Sequence, residues 1–305
     1  MEGGVSSDIW RVDLGTQSIC IKSALSKLKV KSDWFAPIER NAYEVRWMET
    51  ANRLVPGAAP AILASDDENG IFAMEYLEAS HFLNWKDELH QGRCDPEFAA
   101  EVGRIIAQIH SKTANDPDIA AQFPTDDIFH AIRLEPYLEA TASACPDVSG
   151  PLMALSKITA GHKSALVHGD VSPKNILAGA DGPKFLDAEC AWYGDPAFDL
   201  AFCLNHLLLK CLWAPDFREA YLAAFDAMSG AYFANSDNQL QGIERRSAHL
   251  LPGLFLGRVD GKSPVEYLTD ANDKNKVRRV AKELLQNPVD KLSGVRRAWA
   301  REIEI

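Results

Sequence analysis

Two spacings of apolar positions alternate along this chain, and the change from one to the other divides it into two parts. Near the start, Ile9–Leu14 and Ser18–Lys22 mix apolar and polar residues at strand spacing and are joined at Gly15-Thr16. The period then lengthens: Ala42, Val45, Met48, Ala51 and Leu54 put one apolar face on a helix over Glu39–Leu54. Pro56-Gly57 and Pro60 punctuate its exit, and Ala61–Ser65 and Ile71–Tyr76 return to strand spacing across an Asp66–Gly70 turn.

Helical spacing dominates from there. Pro96–Thr113 carries Phe98, Val102, Ile105, Ile106 and Ile109 and ends near His110, read as a satisfied core histidine. Asp126–Leu138 and Pro151–His162 are less regular, with Cys145–Gly150 a loop between them. Asp199–Trp213 reads as a helix buried on all sides, with Asp199 near its start placed to tie down the loop above. Tyr221–Ala231, Ala248–Phe255, Val277–Leu285 and Val289–Ile305 supply further helical stretches, and Ser263-Pro264 predicts a capped helix start. The expected architecture is α+β, with a small antiparallel sheet over residues 1–77 and a mainly helical part over 78–305, enclosing a cleft.

Composition adjusts this picture only mildly. At 305 residues and 47% hydrophobic, the chain is long enough for two lobes, each with its own core. A net charge of −11 argues against a nucleic-acid partner and favours cationic substrates. Six cysteines without CxxC spacing point to buried thiols in a reducing compartment. The first residues show no basic region followed by an apolar core, and the longest apolar stretch, Ala197–Trp213, is interrupted by Asp199, Asn205, His206 and Lys210. A cytoplasmic protein, monomeric or homodimeric and without a membrane partner, is expected.

The chemistry is concentrated in Leu166–Ala201. Ala165–Val167 and Lys184–Leu186 read as strands separated by a Gly179–Gly182 turn, with His168-Gly169-Asp170 at the exit of the first and Asp187 at the exit of the second. Asn175 lies far enough beyond Asp170 to turn back beside it. A carboxylate free to take a proton, with an amide oxygen and a second carboxylate to hold Mg²⁺, is what phosphoryl transfer from ATP requires. An acidic surface turn is the plain alternative, weakened by four matching positions at consistent spacing.

His-Gly-Asp, four residues, Asn, then Phe-Leu-Asp and Gly-Asp-Pro-x-x-Asp-Leu-Ala resembles the aminoglycoside phosphotransferase family of small-molecule kinases, which shares the protein-kinase fold. Asp187-Ala188-Glu189 is of that type rather than the Asp-Phe-Gly of protein kinases, and no Ala-Pro-Glu follows it. The resemblance implies Asp170 as the base on an acceptor hydroxyl and Asn175 and Asp187 as Mg²⁺ ligands. Glu189 supports the metal or the loop, and His168 braces the loop. Lys174 either approaches the transferring phosphoryl group or is a solvated surface lysine.

On the nucleotide side, the resemblance places Lys22 on the α- and β-phosphates, with Glu44 as its ion-pair partner and Glu39 as a competitor. Gly3, Gly4 and Ser6 are expected to form a loop whose N–H groups approach phosphates; the family strand ahead of that loop is either lacking or lies upstream of the start. Met74–Leu77 resembles the interlobe hinge, where the main chain of Glu75 and Leu77 reads the adenine edge. Arg258, Asp260 and Lys262 are the acceptor-pocket candidates, their mixed signs fitting a polar or zwitterionic molecule; the competing role is simply to fix a loop. The implied activity is ATP- and Mg²⁺-dependent phosphorylation of a small-molecule hydroxyl. A catalytically silent nucleotide-binding protein is the alternative, with a protein kinase third.

Overall fold

The computed structural model describes residues 7–15, 17–27, 37–237 and 240–304. Strands β1 (Ser7–Asp13) and β2 (Ser18–Ala24) form an antiparallel hairpin with Ile9 opposite Lys22. Strand β4 (Ile71–Glu75) lies on the other side of β2 with Phe72 opposite Lys22, and β3 (Ile62–Asp66) closes the sheet in the order β1-β2-β4-β3. Side chains alternate faces along a strand, so Cys20, Lys22 and Ala24 all point to the buried side of β2. Lys22 lies inside the strand rather than at its end, and this register is what buries its ammonium.

Helix α1 (Arg40–Leu54) covers that face of the sheet. Its buried side holds the predicted Ala42, Val45, Met48 and Ala51, together with Arg40 and Glu44. Those two charges are one helical turn apart and lie on the same face. After β4 come β5 (Leu83–Asn84), α2 (Trp85–His90), α3 (Pro96–Lys112), α4 (Pro117–Gln122) and α5 (Asp126–Phe129). The chain then winds as a π-helix over His130–Glu139, with Pro136 inside it, before α6 (Ala140–Ala144) and α7 (Ser149–Gly161). Wider winding there explains why the apolar spacing of this segment is irregular.

Four short strands follow: β6 (Ala165–Val167), β7 (Ile176–Gly179), β8 (Gly182–Phe185) and β9 (Trp192–Gly194). β7 pairs with β5 and β8, and β6 with β9. Helix α8 (Ala197–Trp213) is buried from Ala197 to Leu212, as its continuous apolar run predicts, and packs against α9 (Arg218–Asn235) and α10 (Ile243–Asp260). α3 approaches α9 so closely that a Cβ on Gly103 would stand 2.3 Å from the Met228 carbonyl oxygen. Helices α11 (Ala271–Gln286) and α12 (Leu292–Glu302) close the chain.

One helix start differs from expectation. No helix begins at Pro264; α10 runs on to Asp260, and α11 starts at Ala271 instead. The Asp270 carboxylate caps it by accepting from the Asn272 and Asp273 N–H groups at 2.8 and 3.0 Å. Ser263 is used otherwise, as an acceptor for Arg258. All six cysteines are free thiols, five of them buried. Among the described residues no helix is long and apolar enough to cross a membrane.

Candidate active site

The loop after β6 is held from below by α8. Asp199, in the first turn of α8, accepts from the main-chain N–H of His168 at 2.7 Å and of Gly169 at 2.8 Å. Its Oδ2 also meets His110 Nε2 at 3.2 Å, and His110 Nδ1 lies 2.8 Å from the Tyr232 hydroxyl. His110 is thus a buried, fully partnered histidine, and Asp199 ties down the loop. Gly169 has φ +79°, and a Cβ there would stand 2.5 Å from the Cys190 carbonyl oxygen, so only glycine fits the turn.

His168 has no spare nitrogen. Nδ1 accepts from the Asp170 N–H at 3.1 Å, Nε2 donates to the Leu186 carbonyl at 3.1 Å, and the ring stands edge-on to Trp47 at 4.6 Å. Burial pushes its pKa down despite the nearby carboxylates, which keeps it neutral. The imidazole therefore staples the loop bearing Asp170 to the one bearing Asp187.

Asp170 is 5% exposed and sits between two cations. Its Oδ2 lies 2.8 Å from an Arg133 terminal nitrogen and 3.3 Å from Lys174 Nζ. Burial by itself raises the carboxyl pKa, but Lys174 and Arg133 outweigh it and leave Asp170 below the usual carboxylate range. Lys174, whose side chain is mostly exposed, is raised in turn by Asp170. Arg133 also donates to the carbonyls of Gly169 at 2.5 Å and Ile132 at 2.6 Å, so the guanidinium is locked in place. Sequence reasoning passed over this residue. The available signal was an arginine set between Ile132 and Leu134, both buried.

Asn175 immediately precedes β7 and donates its side-chain N–H to the Asp170 carbonyl at 3.1 Å, which fixes the amide and leaves its oxygen as the available donor atom. Asp187 follows β8 with φ +65°, a left-handed conformation that aspartate tolerates. Lys22 Nζ lies 2.5 Å from Asp187 Oδ1 and 2.9 and 2.7 Å from the two Glu44 oxygens. Burial raises both carboxyls, but Lys22 and Lys174 hold Asp187 well below the usual range, whereas Glu44, deeper in the core, is pushed up to about 7. Glu39 is exposed at the start of α1, so the structure chooses Glu44 between the two competitors. Glu189 pairs with Arg40 at 2.9 Å, tying its loop to α1.

The remaining candidates separate. Glu75 ends β4 and Leu77 follows it in irregular, partly exposed chain between the sheet and the helical part. Arg258 lines a pocket with Lys86, Pro173, Lys174, Lys210 and Tyr267 beside the Asp170 loop. Asp260 and Lys262 do not line it. Asp260 takes a bidentate pair from Arg278 at 2.7 and 2.9 Å, and Lys262 pairs with Glu135, because α10 carries them past the pocket. Gly3, Gly4 and Ser6 lie outside the described residues.

Among the described residues no group of three or more His, Cys, Asp or Glu side chains is gathered to hold a metal ion. The oxygen donors on offer are Asn175 and Asp187, a pair that suits a hard cation completing its shell with phosphate and water oxygens.

Comparison with known proteins bears on the family and the fold. The chain is 27% identical over 232 residues to a methylthioribose kinase of Pectobacterium carotovorum, covering 67% of this chain and 57% of that protein's length. It is 23% identical over 265 residues to one of Bacillus mycoides, covering 77% and 67%. A macrolide 2′-phosphotransferase of Brachybacterium faecium superposes with a TM-score of 0.53 at 17% identity, covering 100% of this chain and 91% of that one. An aminoglycoside phosphotransferase of Alicyclobacillus acidocaldarius does so with 0.51 at 13%, covering 99% and 92%. These two share the two-lobed, protein-kinase-like fold. Residues 1–234 match the phosphotransferase enzyme family (APH), and the chain belongs to that family.

Proposed function

We propose that the protein is a kinase that transfers the γ-phosphate of ATP, with Mg²⁺, to a hydroxyl of a small polar molecule. The observation that carries this reading is the Asp170 carboxylate. It is fixed between Arg133 and Lys174, the second of which lines a pocket, and Asn175 is bonded to its main chain. Family membership and the methylthioribose kinase relatives support a sugar-like acceptor. A divalent cation held by Asn175 and Asp187 would supply positive charge to offset that of the nucleotide phosphates.

The chain's own groups divide the work. Asp170 orients the acceptor hydroxyl and takes its proton as the bond to phosphorus forms. Asn175 Oδ1 and Asp187 would hold the cation, and the Asn175 amide is kept in that orientation because its nitrogen donates to the Asp170 carbonyl. Lys22, positioned by Glu44, faces the α- and β-phosphates, and the main chain of Glu75 and Leu77 meets the adenine edge. Lys174 stabilises charge on the transferring phosphoryl group, while His168 and Glu189 hold the two loops in register.

The test is acceptor-dependent ADP release from ATP and Mg²⁺ across hydroxylated sugars, amino alcohols and aminosugars, with the phosphorylated product identified by mass. ATP binding without release for any acceptor would favour the silent nucleotide-binding alternative. A second experiment addresses Arg133. Removing a cation raises a carboxyl pKa, so Arg133→Met is expected to move the acid limb of kcat/KM upward by about 1–3 pH units. An unmoved limb would separate Arg133 from the charge state of Asp170.

A further inference from the structure

The pocket beside Asp170 has an electrostatic character that the chain as a whole lacks. Lys86, Lys174, Lys210 and Arg258 line it with His206, against Glu266 as the facing carboxylate, in a protein of net charge −11. Lys174 pairs with Asp170 and Lys86 with Glu266. The other two cations have no carboxylate partner among the described residues. Lys210, only 1% exposed, lies 3.8 Å from the centre of the Trp213 ring and 4.3 Å from that of Tyr267. Arg258 donates to the Tyr137 hydroxyl at 3.0 Å and the Ser263 carbonyl at 2.7 Å, while its Nε and the Tyr267 hydroxyl are buried without a hydrogen-bond partner.

A buried ammonium backed only by aromatic faces, next to an unused guanidinium N–H, is unfavourable unless something arrives to pair with it. Burial, reinforced by Lys86 and Arg258 and opposed by Glu266, pushes Lys210 down to about 7. His206, buried among the same cations, is pushed well down and stays neutral. Among the described residues, the negative charge nearest in effect to Lys210 comes from Glu266 and from Asp87 on α2, both exposed.

We infer that the acceptor carries an anionic group, a carboxylate or a phosphate monoester, seated against Lys210 and Arg258 while its hydroxyl faces Asp170. This rests on the kinase reading above and narrows its substrate class to small hydroxylated anions, against the cationic substrates that net charge favours. Lys174 stands where the two ends of such a molecule meet, lining the pocket and touching Asp170.

The test offers the intact protein matched pairs differing in one anionic group: glycerate against glycerol, and ribose 5-phosphate against ribose, with methylthioribose as a further uncharged sugar. Binding is read from tryptophan fluorescence, since Trp213 stacks on the pocket residue Tyr267 and backs Lys210, and turnover from ADP release with ATP and Mg²⁺. At least one anion should exceed its neutral counterpart by about 10–100-fold in kcat/KM, the scale of a charge-assisted hydrogen bond. The responding pair distinguishes carboxylate from phosphate.

Lys210→Met, close in size and lacking the charge, should remove most of that advantage through KM; Arg258→Leu should do so in part. Preference for the neutral members, binding of none of the anions, or equal anion affinity in wild type and Lys210→Met would each overturn the inference. Anion binding that depends on Lys210 without ADP release in any pair would uphold the site while removing the kinase reading.

Discussion

The Asp170→Ala variant is expected to lose about 10²–10⁴-fold in kcat for phosphate transfer while retaining ATP binding. Arg133 and Lys174 keep the Asp170 carboxyl below the usual range, so it is a weak base towards an alcohol in the ground state. Its value comes from geometry and timing. In a loose phosphoryl-transfer transition state the hydroxyl proton becomes acidic only late, and a carboxylate already in position can receive it then. Alanine also leaves Arg133 and Lys174 facing each other without their shared anion. Asp170→Asn, which keeps the shape and removes the charge, therefore serves as the companion variant. Single-turnover ADP release at saturating acceptor, beside an ATP-binding titration, makes the measurement. A kcat within about tenfold of wild type in both variants would remove Asp170 from the proton-accepting role.

Lys22→Met is expected to destabilise the fold by about 3–5 kcal/mol, the usual consequence of stripping a buried charge of its partner. Lys22 is 3% exposed and the Glu44 side chain 1%, and the pair ties β2 to α1. The stranded Glu44 has no route to water and recovers only by taking a proton. Its carboxyl already stands at about 7 with Lys22 in place and would rise further without it. An acid whose folded pKa is raised contributes its stability below the unfolded value of about 4.5 and loses it as pH rises through the folded value. The deficit in Lys22→Met should therefore be small near pH 5 and largest above pH 7. Urea midpoints at the two pH values, with unchanged slope, report it directly. The double variant Lys22→Met/Glu44→Leu should recover most of the loss. If it does not, the ion pair is not the source of the deficit.

Most of the scaffold and the two loops of the candidate site are legible in the sequence because they rest on local signals. Three-residue spacing in α1, mixed apolar and polar runs in β1 to β4, and the unbroken apolar run of α8 each follow from which face an element must bury. His168, Asp170, Asn175 and Asp187 stand out because a strand, a turn and the residue after it are set within a few positions of each other. Glu44 is legible only in part: the apolar spacing of α1 admits both Glu39 and Glu44, and burial in the folded chain selects Glu44.

Local signals thus account for the order of elements, the family and the polar cluster at the ends of β6 and β8. Which distant charges join that cluster is a matter of tertiary packing alone. Arg133 reaches Asp170 from a π-helical segment whose spacing disguises its inward face, and Lys210 and Arg258 meet across α8 and α10, far apart in the chain. The same long-range packing takes Asp260 and Lys262 away from the pocket, to Arg278 and Glu135. Spacing reports the partners a residue has within a few turns. The sign of charge inside a cleft is set by helices brought together from far along the chain, so an acidic protein can enclose a positive pocket.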